Sequence, residues 1–468
     1  MLRPMPAAPG EESLHDLKLE DGSRVAVIGG APAGSFFSYF LLQTAQRMGL
    51  DLQVDIYEPR DFSLPAPQGC NMCGGIISES LVQALTVEGI NLPTTVVQRG
   101  IDSYVLHMEE GSVRIDTPLH EKRIAAVHRG SGPRTIKEKK WRSLDGFLLE
   151  LATEKGARVA RERVDGIAWQ DGKPQVKTRG GLSQTYDLLA VGTGVNSGTL
   201  KIFEELRLGY KAPQTAKTYI RELYLGREMI EKHLGSAMHV FLLNMPRLEF
   251  AALIPKGDYV TLVLLGEIDA ALVEAFLAAP AVSRCLPLNW RELKEFCHCS
   301  PKINIQSAVQ PFADRLVFIG DAGVTRLYKD GIGAAYRTAK AAALTAVFDG
   351  VSSEDFRRRY WPVCRSISTD NALGKLIFLV TRHIQRWPHD RRGVLRMVSK
   401  EQQGDGQRRM SMVLWDIFTG SAPYKDILLR TLHPAFLAGL VWSVAVDYWD
   451  KTINGGSHGN GRVGQNVP

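Results

Sequence analysis

The sequence has no long hydrophobic run. Its longest apolar stretches are Leu376–Val380 and Ala435–Val446. Both are shorter than the roughly 20 residues a bilayer-spanning helix needs, so neither can span as one helix. Residues 1–22 carry Glu11, Glu12, Asp16, Glu20 and Asp21 with no apolar core, which excludes a secretory signal and reads as a flexible leader. Cysteine is scarce, with six in 468 residues. Without an export signal, that usage fits a reducing, cytoplasmic compartment rather than a disulfide scaffold. Strong charge of one sign is also missing: 57 Lys+Arg stand against 50 Asp+Glu, a net +7. No basic tract with interleaved aromatics exists, so nucleic acid is excluded as a partner, while anionic cofactors and a membrane surface remain.

What is present is organised around Arg24–Glu58. Val25–Ile28 is a β-branched run ending at glycine, which predicts a buried strand. Gly29-Gly30-Ala31-Pro32-Ala33-Gly34 turns the chain into a helical pattern over Ser35–Met48, and Leu52–Tyr57 is a second strand ending at Glu58. Strand, glycine turn, helix, strand and acid follow in the order a dinucleotide site requires. Gly29 permits the tight reversal, and free N–H groups at the helix start face a pyrophosphate. Gly34 lets helix and strand pack closely, and Glu58 can accept from ribose hydroxyls. Ala31 stands at the usual second glycine, with Gly30 beside it.

A second turn of the same character lies about 290 residues later. Leu316–Ile319 is a buried strand, Gly320-Asp321 follows, and Gly331-Ile332-Gly333 opens a helix through Phe348. The short acid can accept hydrogen bonds from ribitol or ribose hydroxyls, and the helix start offers a second anion site. Tyr186–Val191 reads as a strand returning to the same domain. Residues 205–300 change character, with alternating strands at Met238–Leu243, Phe250–Pro255 and Tyr259–Gly266. Helices are expected near Ala270–Leu277 and Trp290–Phe296. The expected architecture is α/β: a Rossmann-like cofactor domain, an inserted antiparallel-sheet substrate domain and a helical C-terminal region. The boundaries are 1–22 leader, 23–200 first part of the cofactor domain, 201–305 substrate sheet, 306–350 return segment, 351–453 helical region and 454–468 disordered tail.

Cys70-Asn71-Met72-Cys73 is open to three readings: half a metal site, a redox dithiol or loop packing. Cys297-His298-Cys299 could join it in a metal or iron–sulfur centre, but a CxC beside a CxxC is not a standard ligand spacing, and no metal site is assigned. Residues 351–400 carry eleven Lys+Arg against four Asp+Glu, around Leu376–Val380 and Trp387. With Trp442, Tyr448 and Trp449 further on, this reads either as a peripheral membrane contact or as a solvated, capping helical face.

Taken together, VAVIGGAPAG with Glu58, CGG at Cys73–Gly75, YDLLAVGTGVNS, IPKGD at Ile254–Asp258, and GDAG followed by GIG resemble the geranylgeranyl reductase family. That family belongs to the flavoprotein superfamily typified by p-hydroxybenzoate hydroxylase. The resemblance covers residues 24–350 and implies FAD as cofactor. It implies that Gly29, Gly30, Ala31, Ala33, Gly34 and Glu58 hold the ADP half, and that Gly320 and Asp321 hold ribitol and pyrophosphate. Gly331, Ile332 and Gly333 would then lie near the flavin ring, with Cys73 beside it. Arg142 and Asp145 resemble the family's Arg…Asp pattern. The chain differs from the family at Thr193-Gly194, where Asp-Gly is usual, and at Phe250 and Ala252, where an aromatic pair is usual.

The expected function is an FAD-dependent reductase of double bonds in an isoprenoid or other apolar or lipid substrate, with Cys73 and Tyr328 as candidate proton donors. The electron source would be NAD(P)H or a donor protein. Thr193 and the six cysteines support one alternative, electron transfer between a protein or thiol donor and a quinone; a second is a flavin-binding protein without turnover. FAD-dependent monooxygenation is a third. A cytoplasmic chain, or one peripheral on the inner membrane face, is expected.

Overall fold

A computed structural model describes residues 17–454 apart from 71, 118–120, 135–141, 289, 291–294 and 405. Its first layer is a six-stranded sheet. From one edge the strands run Phe312–Ala313, Leu316–Phe318, Leu188–Val191, Arg24–Ile28, Gln53–Tyr57 and Arg158–Ala160. All neighbours are parallel except the first pair. Buried on both faces, these strands read as unbroken apolar runs, which is why they were visible as short Val/Ile/Leu segments.

Helices Pro32–Met48 and Gly331–Phe348 lie side by side on one face. The second presents Ala335, Ala339, Ala342, Ala343 and Ala346 to a shared core with Phe36 and Phe40. Small side chains there let the two backbones approach, and the ring of Tyr336 fills the remaining gap, meeting Phe36 and Phe40 edge-on at 5.7 and 5.6 Å. The sequence leader is part of the fold from residue 17 onward: the Val351 N–H donates to the Leu17 carbonyl at 2.6 Å, and Leu19 is buried. Residues 1–16 and, of the expected 454–468 tail, residues 455–468 lie outside the described residues, while Asn454 ends the last helix.

The second layer is a seven-stranded sheet ordered Glu295–Cys299, Tyr219–Tyr224, Tyr259–Gly266, Leu248–Lys256, Ala237–Phe241, Ser103–Met108 and Gly111–Asp116. The boundary expected at residue 201 therefore divides this sheet, because its last two strands come from within 23–200. The joint is a parallel pairing of Ser103–Met108 with Ala237–Phe241, a contact across more than 130 residues that leaves no local signature. Residues 295 and 296 are strand, not the end of the expected helix Trp290–Phe296, whose residues 291–294 lie outside the described set.

Both faces of the sheet are covered. On one side, Ala270–Ala278 and Pro280–Ser283 pack through Phe276, Leu277 and Val282. On the other, helices Trp361–Arg386, Pro388–Gln403 and Arg409–Thr419 pack through Phe378, Val394 and Phe418. Helices Tyr424–Thr431 and Pro434–Asn454 complete the chain and meet at a 66° bend; among the described residues no single helix is long and apolar enough to cross a membrane.

Candidate functional site

Three glycine corners meet where neighbouring parallel strands end. Gly29 has φ +100°, and a Cβ there would sit 2.8 Å from the Gly192 carbonyl oxygen. A Cβ on Gly34 would lie 1.8 Å from the Gly29 oxygen, so helix and turn touch backbone to backbone. A Cβ on Gly320, at φ +59°, would lie 2.7 Å from the Ala33 Cβ. The two turns separated by some 290 residues in sequence thus close on each other, around one cavity lined by Ala31, Pro32, Ala33, Asp321, Gly331 and Ile332.

The start of helix Pro32–Met48 is open chemically. Ala31 is the N-cap and offers no side-chain acceptor, and the first turn carries no acid. Its orphan N–H groups and the positive end of the helix dipole therefore face the cavity unsatisfied by the helix itself. Glu58 lies behind this turn rather than on the cavity wall. Its carboxylate accepts from Gly30 N at 2.9 Å and Arg60 N at 2.9 Å, and burial raises its pKa against the pull of those two amides. Its visible work is to pin the glycine turn. Arg60 itself lines the cavity, a cation the motif does not announce.

On the far side, burial raises the Asp321 pKa, opposed by the Thr325 hydroxyl and the Arg129 guanidinium. Asn304 Nδ2 donates to the Asp321 carbonyl at 2.9 Å, while Asn304 Oδ1 and Thr193 Oγ1, both on the cavity wall, are buried without a protein partner. The start of helix Gly331–Phe348 differs from the sequence expectation. Asp330, at φ +50°, lays its carboxylate over Gly333, where a Cβ would be 2.3 Å from Oδ1. It accepts from Ser78 Oγ at 3.2 Å. The protein's own acid therefore occupies the place expected for a bound anion, and Gly331 and Ile332 serve as wall. Gly333 is the residue small enough to admit that carboxylate.

The Cys73-Gly74-Gly75 loop forms the next part of the wall. Gly75 has φ +67° and passes so close to Val127 that a Cβ would lie 2.0 Å from its oxygen. The acid–base pair beneath this loop is not Arg142 with Asp145. Arg129 takes Asp145 in a two-pronged salt bridge, Nη2 to Oδ2 at 3.0 Å, with the Asp145 side chain fully buried, and reaches the Cys73 thiol as well. Arg142 instead pairs with Glu150 and covers Phe147, away from the cavity. Arg129 comes two residues after the strand Ile124–Val127, which runs beside the loop, whereas Arg142 precedes the helix Leu144–Glu154 that Asp145 enters.

Beyond this the cavity opens onto the second sheet, where Met238, Phe250, Ala252, Ile254, Val263 and Leu265 give an apolar wall. Tyr328 lines it in the left-handed conformation, φ +59°, its ring edge-on to Phe378 at 4.9 Å. Burial raises its pKa. Two non-glycine residues held in this region, Tyr328 and Asp330, bracket Lys329, and strain of this kind costs about 1–3 kcal/mol per residue. Lys329 was not visible as a site residue in the sequence. Its Nζ donates to the Phe418 carbonyl at 3.1 Å and sits 4.0 Å from the Phe250 ring centre. Burial, then the neighbouring Arg326 charge, push its pKa down to about 7. Lys329 also lines the cavity. Phe418 and Thr419 of the C-terminal region roof this end, tied down by Arg326, whose guanidinium donates to the Gly420 and Ala422 carbonyls.

Among the described residues, Cys70, Cys73, Cys297 and Cys299 do not gather into a metal-ligand set. All six cysteines are free.

No family model matches the sequence, and no curated protein matches it either. Solved structures do. A flavoprotein/dehydrogenase from Cytophaga hutchinsonii aligns with a TM-score of 0.60 at 14% identity, over 92% of this chain and all of the other. The halogenase PltM aligns at 0.57 and 12% identity, over 92% of this chain and 93% of that one. 2-Methyl-3-hydroxypyridine-5-carboxylic acid oxygenase aligns at 0.55 and 16% identity, over 78% and 93%. PltM has been solved with FAD. At such identities the likeness establishes architecture, and it does not single out the geranylgeranyl reductase branch. The fold is the one these structures share, a Rossmann-like domain joined to a second, largely antiparallel sheet and a C-terminal helical region.

Proposed function

We propose that this chain is an FAD-dependent oxidoreductase that acts on an apolar substrate, with a carbon–carbon double bond of an isoprenoid or similar molecule as the hydride acceptor. One observation carries the reading: a single cavity runs from the uncapped helix start at Ala31–Ala33, past Asp321, to the apolar wall of the second sheet. FAD suits the residues present. The cavity offers free helix N–H groups for a pyrophosphate, Asp321 for ribitol hydroxyls, and the unpartnered Thr193 and Asn304 oxygens for further polar contacts. Bound there, FAD would supply two-electron hydride chemistry.

The chain's own residues would do the rest. Met238, Phe250, Ile254 and Leu265 exclude water and hold an apolar body against the wall. Lys329, poised near neutrality, can give or take a proton at Nζ, and Tyr328 Oη is the second donor facing the same space. Arg129, held by Asp145, orients the Cys73 loop through its contact with the thiol. On helix Pro434–Asn454, exposed Leu437, Val441, Trp442, Tyr448 and Trp449 would rest on a lipid surface from which such a substrate is drawn.

A second reading is oxygenation or halogenation of a phenol-like ring. It is favoured by the names of the similar structures, one of which is PltM with phloroglucinol and FAD, and by the Lys329 ammonium, which would stabilise a phenolate. The deciding experiment is anaerobic reduction of the flavin-loaded protein by NADPH, NADH or reduced ferredoxin, followed by polyprenyl lipid, phenols with oxygen, or quinone. Loss of lipid unsaturation supports the first reading, and a ring carrying new oxygen or halide supports the second. Reoxidation by quinone alone, or no reduction by any donor, overturns both.

A further inference from the structure

Met238 faces the cavity, so its neighbour His239 points through the opposite face of the same strand. There it meets His107 from the adjoining strand and Cys285 from the segment following Pro280–Ser283. All three are buried, at 6%, 5% and 5% exposure, among Phe241, Phe276 and neighbouring aliphatic side chains. His107 Nε2 and His239 Nδ1 are 2.9 Å apart. The Cys285 sulfur lies 3.7 Å from the first and 3.5 Å from the second.

We propose that His107, His239 and Cys285 form a binding site for a soft d10 cation, Zn2+ or Cu+, on the reverse side of the substrate wall. The edge lengths are the first support. Bonds of about 2.0–2.1 Å to nitrogen and 2.3 Å to sulfur at near-tetrahedral angles put ligands about 3.4 Å (N to N) and 3.5 Å (N to S) apart. Both sulfur edges already match within about 0.2 Å, and the nitrogen pair needs to open by roughly half an ångström. The outer nitrogens are the second. His107 Nδ1 is 2.7 Å from Ser112 Oγ, and His239 Nε2 is 3.4 Å from the Leu234 carbonyl. A carbonyl only accepts, so the proton of neutral His239 sits on Nε2 and its Nδ1 lone pair points into the cluster. Such outer-shell partners orient ligating imidazoles in metal sites.

Environment adds a third support. Burial disfavours the imidazolium of both rings, leaving the neutral form a metal requires. Without an ion, Ser112, His107, His239 and the Leu234 carbonyl can form a chain of hydrogen bonds, and the Cys285 thiol donates to the Ala281 carbonyl at 3.4 Å outside that chain. Binding converts the Cys285 thiol to thiolate and releases one proton per ion, with no change in oxidation state. Trigonal Cu+ would need no further ligand, and Zn2+ would add the nearby Ala281 carbonyl, 3.4 Å from the sulfur, or a water. The ion would clamp the Pro280–Cys285 segment to the sheet whose other face lines the cavity.

The test uses the full chain. Protein from medium supplemented with Zn2+, or copper-loaded under reducing conditions, is dialysed and its metal content measured. X-ray absorption at the metal edge then reports the ligands. The expected result is about one ion per chain, with two nitrogens and one sulfur as protein ligands. Cys285→Ala and His239→Gln should lose it while keeping wild-type flavin uptake. Retention in only the zinc arm or only the copper arm identifies the ion. The proposal is overturned if neither ion survives dialysis in folded wild type, or if the variants retain as much as wild type. Where the zinc arm retains its ion, Co2+ added to the wild-type protein gives a check independent of any variant: absence of a thiolate-to-cobalt charge-transfer band then overturns the site.

Discussion

Replacing Lys329 with Met should stabilise the protein at low pH and lose that advantage as pH rises. The side chains have similar length, so packing against Phe250 and Phe418 is largely kept. What changes is a buried charge. A folded pKa of about 7 against 10.5 for the free side chain corresponds to about 5 kcal/mol, at about 1.4 kcal/mol per pH unit. Cavity water screens that to roughly 2–3 kcal/mol. The sign follows from proton uptake. Between about pH 7 and 10.5 the unfolded chain holds the Lys329 proton and the folded chain does not, so wild-type stability rises with pH across this window. Below pH 7 the folded protein carries the full penalty. Urea unfolding of wild type and Lys329→Met from about pH 6 to 10, followed by circular dichroism, should show the variant ahead by about 2–3 kcal/mol at the acid end, and the gap closing above neutrality. A difference that stays constant with pH would refute the placement of a neutral-poised amine in this wall. Turnover should fall at the same time, because the variant has no proton to exchange.

Three further outcomes are expected. Gly320→Val places a branched side chain at φ +59° and 2.7 Å from Ala33; about 1–3 kcal/mol of strain and overpacking at the cofactor corner should abolish flavin retention on gel filtration. Arg129→Met removes the guanidinium that pairs with the fully buried Asp145, at a cost of about 3–5 kcal/mol in urea unfolding. The double variant Arg129→Met/Asp145→Leu should recover most of that stability without recovering activity, whereas Arg142→Met should change stability by less than about 1 kcal/mol. Trp442→Ser/Trp449→Ser should reduce co-sedimentation with anionic vesicles while leaving flavin content and Lys329-dependent stability unchanged; equal sedimentation removes the membrane face from the account.

The parts of this molecule that could be read in one dimension are those whose physics is local. A strand ending at Gly29, an open helix start and a strand ending at Glu58 follow one another within 35 residues, and each element needs only its own pattern. Gly320-Asp321 was visible for the same reason. The meeting of Gly320 with Ala33 is brought about by the packing of the two helices. Harder to read were pairs made by the sheet. Arg129, rather than Arg142, reaches Asp145 because of where a strand ends. Ser103–Met108 joins the distant Ala237–Phe241, which moves a domain boundary and brings His107 to His239. Lys329 looked like one charge in a polar loop, because Phe418, the residue that buries it, arrives from a helix 89 positions on. Asp330 over Gly333 reversed the expected role of a helix start through a single left-handed residue.

The measurement that bears most directly on the central claim is titration of the purified protein with FAD, followed by flavin fluorescence and by the visible spectrum of the desalted product. The account predicts a yellow protein with about one FAD per chain, and saturable quenching that Gly320→Val and Gly34→Val both remove. A colourless, folded protein that leaves FAD fluorescence unchanged would contradict it.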